Sequence, residues 1–263
     1  MGEEVKYFVL GLIQGVAEFF PISSSGHIVL SSSILSIADK HPLLLSIVVH
    51  FATTLSTIIV YRDKIKKIFF GLFINQKPKQ INFFLKLILS ALPIIIVGIF
   101  LRERIDIIFN NATQLVCVML MITGTILILT NMFKIESGEI NFFHAFIMGL
   151  AQAAAIIPGL SRSGLTIATA VFLKINRKDA AEFSFLMVLI PIIGITIIEI
   201  YLLSSLPQDF GVTEKRGLLI AFFTSFFSGL FACKYMIKVV QRNNLKHFGY
   251  YCLSIGILFL VFS

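Results

Sequence analysis

The amino-acid sequence predicts an all-α integral membrane protein with six transmembrane helices and two re-entrant helical hairpins of opposite orientation, which form an inverted repeat. Composition is the first observation: 57% of the residues are hydrophobic, 14% are charged, and the mean hydropathy is +0.93. Soluble domains are less apolar and carry more charge, so this composition favours a lipid environment. Second, six apolar stretches approach membrane-spanning length. Third, four shorter apolar segments occur as two consecutive pairs, each interrupted by proline, glycine and serine.

The six predicted spans each approach the roughly 20 residues that cross a bilayer core. They cover residues 43–61, 81–101, 112–133, 180–203, 217–236 and 247–262. Pro93 and Pro191 fall inside two of them, where the missing N–H donor predicts a kink. The longest polar connection is 62–80, so we predict one polytopic membrane domain over residues 1–263, without a separate soluble domain.

The shorter apolar segments are too short to span a bilayer alone. They pair as 7–20 with 28–37, and as 143–157 with 165–173. Each pair predicts a re-entrant hairpin, the first over about residues 7–37 and the second over about 143–173. Because irregular backbone at membrane depth is tolerated only where it lines a protein cavity, the two interruptions are the predicted functional site.

The two interrupted segments resemble each other. GLIQGVAEFFPISSSG, residues 11–26, matches GLAQAAAIIPGLSRSG, residues 149–164, in its opening glycine and leucine, its glutamine, its serine cluster and its closing glycine. An odd number of predicted spans separates the two copies, so they must have opposite orientations in the membrane. Inverted repeats with interrupted helices place binding sites near the bilayer midplane.

The net charge of +8 does not predict nucleic-acid binding, because the basic residues follow the topology. If each hairpin returns to its starting side, most lysines and arginines fall on one side of the membrane. The positive-inside rule makes that side cytoplasmic and both termini external. The partners that this distribution predicts are membrane lipids rather than nucleic acid.

Serine and glycine dominate both interruptions. The loop residues predicted to meet a ligand are Ser23, Ser24, Ser25 and Gly26 in the first loop and Gly159, Ser161, Arg162, Ser163 and Gly164 in the second. The free N–H groups and the dipole at a helix start favour an anion, and arginine offers a planar fork suited to phosphate. The loops therefore predict a phosphate or diphosphate ligand. As the alternative, the serines act as helix caps alone.

Three further polar residues flank the first loop. Gln14 and Glu18 lie four residues apart on one helical face, and a buried carboxylate in a membrane helix is a functional-site hypothesis. Beside a polyanion, Glu18 is compatible with a bridging divalent cation or with a role as protonated general acid. His27 suits a base toward a serine or a water, or a nucleophile. The structural alternatives are a Glu18–Arg162 ion pair and a hydrogen bond from His27 to a backbone carbonyl.

These residues carry a resemblance to a known family. QGVAEFFPISSSGH, residues 14–27, resembles the first signature of the undecaprenyl-diphosphate phosphatases, the bacitracin-resistance family, in which (E/Q)xxxE precedes a proline and an SSSGH- or SSTGH-type loop. PGLSRSG, residues 158–164, resembles the second signature, PGxSRSG. The resemblance covers the whole chain, and both patterns are long and specific.

The resemblance implies hydrolysis of undecaprenyl diphosphate to undecaprenyl phosphate and inorganic phosphate, which recycles the lipid carrier for cell-wall synthesis and confers bacitracin resistance. It implies catalytic roles for Glu18, Ser24, His27 and Arg162; Ser24 activated by His27 is the favoured nucleophile, and an activated water is the alternative. It implies a divalent cation, Mg²⁺ or Ca²⁺, at Glu18 and Gln14, although the uncharged amide of Gln14 is the weaker ligand. It also implies a bacterial plasma membrane location with the site toward the outer surface.

A lipid-carrier flippase or transporter that uses the same inverted-repeat site is the alternative function. A pure transporter does not need a histidine and a serine beside its phosphate site. Outside the two loops, His50 with Thr53 and Thr54 either lines the cavity or hydrogen-bonds between helices. The sequence leaves open whether the protein forms a homodimer.

Overall fold

The structure, a computed structural model, describes residues 2–34, 42–100, 113–133, 138–204, 212–242 and 245–262. Within these residues the secondary structure is helical apart from one isolated bridge between Gly138 and Ile175, which confirms the predicted all-α class. The helices, numbered in chain order, are α1 (Glu3–Ala17), α2 (Ser24–Ile34), α3 (Pro42–Val60), α4 (Arg62–Phe73), α5 (Pro78–Phe100), α6 (Thr113–Leu129), α7 (Phe142–Ala154), α8 (Arg162–Phe172), α9 (Arg177–Met187), α10 (Leu189–Ser204), α11 (Val212–Gln241) and α12 (Leu245–Phe262).

The protein is a multi-pass membrane protein. The helical stretches of the described residues that are long and apolar enough to cross a membrane are Pro78–Phe100, Thr113–Met132, Arg177–Ile198, Glu214–Gln241 and Leu245–Phe262. A sixth is obtained if α3 and α4, which meet at an angle of 76°, are counted as one bent span. The helices α1, α2, α7 and α8 have only 15, 11, 13 and 11 residues. Their re-entrant placement in the bilayer stays a prediction.

Residues 62–80, predicted to be a polar connection, contain the helix α4. Its sequence RDKIKKIFFGLF has a charged first half, whereas Ile68 is buried. Phe69, Phe70 and Phe73 are exposed in the second half. A helix with lysines on one part of its surface and exposed aromatic side chains on another suits the membrane–water boundary. The sequence was too polar at its start for this helix to be recognised.

The fourth predicted span, 180–203, is interrupted at one residue, because α9 ends at Met187 and α10 begins at Leu189. Pro191 lies in the first turn of α10, where a proline is tolerated. Its missing N–H removes the hydrogen bond that a continuous helix would make to the carbonyl of Met187. The interruption therefore precedes the proline. Pro93, the other predicted kink, lies inside α5, which is one unbroken helix.

Small residues allow the helices to approach closely, as is common in membrane proteins. A Cβ atom added to Gly15 of α1 would lie 1.9 Å from Ser228 Oγ of α11. One added to Gly149 of α7 would lie 2.6 Å from the carbonyl oxygen of Ser90 in α5. The first helix of each interrupted pair thus packs on a long helix from the other half of the chain: α1 on α11, and α7 on α5. This packing between the two halves brings the two interruptions together.

Candidate active site

The first interruption is a turn around Pro21 that ends in a strained residue. Ser23 has a φ of 69°, in the left-handed region, and is buried. Its Oγ accepts a hydrogen bond from the Gly26 N–H at 3.2 Å, and it therefore caps the start of α2. The Ser25 hydroxyl lies 3.3 Å from that of Ser23. These contacts stabilise the conformation of the loop. The substrate-binding roles of Ser23, Ser25 and Gly26 stay predictions.

The second interruption is held against α6. Gly159 has a φ of +95°, and a Cβ atom there would lie 2.6 Å from the carbonyl oxygen of Val116, so only glycine fits. The Ser161 N–H donates to Thr123 Oγ1 at 3.1 Å. Ser161 Oγ in turn accepts from the Gly164 N–H at 3.1 Å and caps α8. The second loop is therefore fixed on one side by packing and on the other by its cap.

The two loops touch each other directly. A Cβ atom added to Gly26 would lie 3.1 Å from Gly159 Cα. Ser163 Oγ donates to the carbonyl oxygen of Phe20 at 3.2 Å. The structure therefore brings the loop residues of both repeat copies into one region, as the sequence predicts for a shared site.

Glu18 is the centre of a hydrogen-bond network at this junction. Its side chain is 5% exposed, and its Oε1 forms an ion pair with Nη2 of Arg162, whose side chain is 20% exposed. Its Oε2 accepts hydrogen bonds from Ser24 Oγ at 2.7 Å and from Gln14 Nε2 at 3.0 Å. Both carboxylate oxygens therefore have hydrogen-bond or ion-pair partners, as a buried charge requires. Ser24 and Arg162, two of the other predicted catalytic residues, each contact Glu18, and the Glu18–Arg162 contact is the ion pair expected as the structural alternative.

His27, the fourth predicted catalytic residue, is directed elsewhere. Its Nδ1 lies 2.9 Å from the carbonyl oxygen of Ser23, which only accepts, so Nδ1 carries the proton. Its Nε2 lies 2.9 Å from the hydroxyl of Tyr251 in α12, and the two rings stack with centroids 5.6 Å apart. Because both nitrogens are engaged, the expected hydrogen bond between His27 and Ser24 is not formed. The contact with a backbone carbonyl, the structural alternative, is the one observed.

His50 of α3 contacts the site although no motif marks it. Its Nδ1 lies 3.1 Å from Gln14 Nε2 and 3.6 Å from Glu18 Oε2. The sequence signal for this residue was only a histidine followed by threonines in an apolar span. A side chain from outside both loops therefore completes the surroundings of Glu18.

A small cavity adjoins the Glu18–Arg162 pair. Its lining residues are Glu18, Phe19, Thr53, Thr54, Thr57, Arg162, Phe185, Val188, Leu189 and Ile192. The threonines come from α3, and the apolar residues from 185 onward come from the junction of α9 and α10. The interruption before Pro191 therefore contributes one wall of the cavity.

The residues at the site fit a metal ion only in part. Across the described ranges, no group of three or more His, Cys, Asp or Glu side chains is placed to hold one. Glu18 offers a carboxylate, and Gln14 Oε1 is a buried acceptor without a hydrogen-bond partner. Mg²⁺ is often bound by one or two carboxylates together with phosphate oxygens and water. Glu18 and Gln14 are therefore the residues that would hold a divalent cation beside a phosphate ligand.

The arrangement suits chemistry on an anion. The N-termini of α2 and α8 lie at the two touching loops, and their N–H groups and dipoles favour negative charge. Arg162 adds a fixed positive charge beside them. The Ser24 hydroxyl already donates a hydrogen bond to the Glu18 carboxylate, which is the contact that a serine nucleophile needs with its base.

Comparison with known proteins shows the family of the chain. The family model described as bacitracin resistance protein BacA matches residues 7–258. The chain belongs to this family. A relative from Bacteroides fragilis (strain YCH46), named undecaprenyl-diphosphatase, is 39% identical over 262 residues, which cover 99% of this chain and 98% of the relative.

Two further relatives carry the same name. The protein from Christiangramia forsetii is 39% identical over 257 residues, which cover 97% of this chain and 96% of the relative. The protein from Methanococcus maripaludis is 35% identical over 264 residues, which cover 98% of this chain and all of the relative. The similarity therefore extends over full length on both sides.

Proposed function

We propose that this protein hydrolyses undecaprenyl diphosphate to undecaprenyl phosphate and inorganic phosphate, and so recycles the lipid carrier of cell-wall synthesis. Full-length similarity to relatives named undecaprenyl-diphosphatase supports this activity. The observation that carries the proposal is the contact of Glu18 with Arg162 and Ser24 where the two loops meet. Such a polar cluster is costly within an apolar protein, which favours a functional reason for it.

The diphosphate binds to Arg162 and to the starts of α2 and α8. One guanidinium nitrogen of Arg162 contacts Glu18, and the partly exposed remainder of the planar fork is available for phosphate oxygens. The caps at Ser23 and Ser161 hold the two helix starts in place, so that their N–H groups need little rearrangement. The prenyl chain lies among the apolar helix surfaces that face lipid.

Ser24 is the nucleophile that the contacts favour. As Ser24 Oγ attacks the terminal phosphorus, Glu18 takes its proton, and the bond from that phosphorus to the bridging oxygen breaks. Undecaprenyl phosphate leaves, and Arg162 stabilises the charge on the transferred group. Water then attacks the phosphorus, Glu18 returns its proton to the leaving Ser24 Oγ, and inorganic phosphate is released with both protons of the water. Direct attack by a water that Glu18 activates is the alternative.

His27 supports the loop in this proposal. Its bond to the Ser23 carbonyl and its stacking on Tyr251 tie the first loop to α12. A substitution of His27 is therefore expected to shift the position of Ser24 rather than to remove the catalytic base.

A divalent cation, Mg²⁺ or Ca²⁺, is proposed at Glu18 and at the unpartnered Oε1 of Gln14. When bound, the cation neutralises part of the phosphate charge.

We also propose that the site and both termini face the outside of the plasma membrane, because the positive-inside rule assigns the more basic side to the cytoplasm. A protease site placed at either terminus is expected to be cut from outside in intact cells.

The decisive experiment is phosphate release from undecaprenyl diphosphate by the purified protein in detergent. Wild-type protein is expected to release phosphate, whereas Glu18→Gln and Arg162→Met proteins that remain folded are not. His247→Asn, an exchange at an exposed position, serves as the control. A flippase has no compartments to connect in detergent, so the absence of release from wild-type protein would favour the transporter alternative.

A further inference from the structure

We propose that His50 is a substrate-binding residue of this site: a neutral imidazole whose Nε2–H donates a hydrogen bond to the anionic substrate, while Gln14 fixes its tautomer. The nature of the ligand rests on the proposed function. The position and protonation of the ring follow from contacts around Gln14.

The orientation of the Gln14 amide is set by Glu18. Gln14 Nε2 lies 3.0 Å from Glu18 Oε2, and a carboxylate accepts hydrogen bonds but does not donate them. If the amide were turned over, its own oxygen would face the carboxylate oxygen, and the two would repel. The amide NH₂ group therefore points at Glu18.

The second hydrogen of the same NH₂ group sets the tautomer of His50. His50 Nδ1 lies 3.1 Å from Gln14 Nε2, so this ring nitrogen must accept. A proton on Nδ1 would place two donors against each other. The ring is therefore neutral, and its proton resides on Nε2.

The Nε2–H group is available for a ligand. Within the described part of the chain, the hydrogen bond recorded for the His50 ring is the one at Nδ1. The side chain is 32% exposed, although its Nδ1 lies only 3.6 Å from a carboxylate that is 5% exposed. The ring is thus partly accessible although it borders the buried network, and its remaining donor, Nε2–H, is available to a ligand.

A neutral donor is the useful kind at this position. Glu18 already forms an ion pair with Arg162. A neutral N–H adds a hydrogen bond to a phosphate oxygen without altering that pair. Hydrogen bonds to charged groups are the stronger ones in proteins.

Two substitutions of His50 distinguish the role of the acceptor Nδ1 from that of the donor Nε2–H. In His50→Asn, the amide oxygen takes the place of Nδ1 and still accepts from Gln14, but the outer donor is lost. In His50→Gln, the longer side chain carries an N–H group to the place of Nε2. His247→Asn makes the same exchange at an exposed position of α12 and is the matched control.

The measurement is the dissociation constant for a prenyl methylenediphosphonate, whose P–C–P linkage cannot be hydrolysed, in detergent. Loss of a hydrogen bond to a charged group predicts a roughly ten- to hundredfold weaker affinity for His50→Asn. His50→Gln is expected to stay within about threefold of wild type, as is the control. An unchanged affinity in His50→Asn, or equal weakening in both His50 variants, would overturn the proposal.

Binding of this probe does not depend on turnover, so the two proposals fail separately. Wild-type protein that binds the probe but releases no phosphate from the lipid diphosphate would refute the hydrolase and still allow the His50 comparison. Wild-type protein that releases phosphate, with His50→Asn binding normally, would refute only the role of His50.

Discussion

Removal of both members of the Glu18–Arg162 pair is expected to destabilise the protein by less than the sum of the two single removals. Arg162→Met leaves a carboxylate that is 5% exposed without its counter-charge. Loss of one partner of a buried pair costs about 3–5 kcal/mol. Glu18 would keep its hydrogen bonds from Ser24 at 2.7 Å and from Gln14 at 3.0 Å, so we expect a value near the lower end, about 3 kcal/mol.

The double variant Glu18→Gln with Arg162→Met contains no unpaired charge. Its loss of stability is expected to be smaller than the sum of the single losses by about 1–3 kcal/mol, as for residues in direct contact. Phosphate release, in contrast, is expected to remain lost, because the double variant has neither the carboxylate base of Glu18 nor the guanidinium of Arg162. Stability and activity therefore diverge between the single and double variants.

The assay is equilibrium unfolding in mixed micelles of increasing denaturing-detergent content. It compares wild type, Glu18→Gln, Arg162→Met and the double variant, and phosphate release is measured on the same samples. Arg62→Met, at an arginine whose side chain is 68% exposed, is the control and is expected to change stability by less than about 0.5 kcal/mol. If the two single losses add to the double loss within about 0.5 kcal/mol, the pair is not coupled and the reasoning from its burial is refuted.

Four further outcomes are expected. Ser24→Ala is expected to lower phosphate release by at least about a thousandfold if the serine is the nucleophile, whereas a rate close to wild type in a steady-state assay would favour direct attack by water. Tyr251→Phe removes the hydroxyl partner of His27 and is expected to lower the unfolding free energy by about 1 kcal/mol with release largely retained; a complete loss of release would assign the tyrosine a direct role. Gly15→Leu is expected to prevent close packing of α1 on α11, seen as loss of the monodisperse peak in size-exclusion chromatography, whereas Gly98→Leu, at a glycine with no atom within 4 Å of an added Cβ, is expected to elute normally. Treatment with a chelator is expected to abolish release and added Mg²⁺ to restore it, and an undiminished rate in chelator would count against the proposed cation.

The parts of the site that lie in the two loops could be predicted from the sequence. Proline, glycine and serine interrupt apolar segments at matching positions, and the cost of exposed backbone in lipid requires such interruptions to meet. Glu18 and Arg162 were expected to share one region, and their contact across 144 residues agrees with that expectation. The physical constraint here is strong because a charge in an apolar protein has few acceptable surroundings.

The contacts of the two histidines could not be predicted in the same way. His27 pairs with Tyr251, which lies 224 residues away on α12 and belongs to no motif. His50 reaches the site because α3 packs beside the first interruption, and its tautomer depends on an amide orientation that a third residue sets. Such details arise from tertiary packing, whereas the local pattern reports only that a polar residue is present in an apolar segment.

The division of the site between two halves of one chain has a consequence for biosynthesis. When α1 and α2 enter the membrane, the arginine that balances Glu18 has not yet been translated. The nascent chain must therefore keep this acid protonated or in contact with water until α7 and α8 have inserted. Under the proposed mechanism, a chain that ends before α8 lacks Arg162 and is expected to release no phosphate.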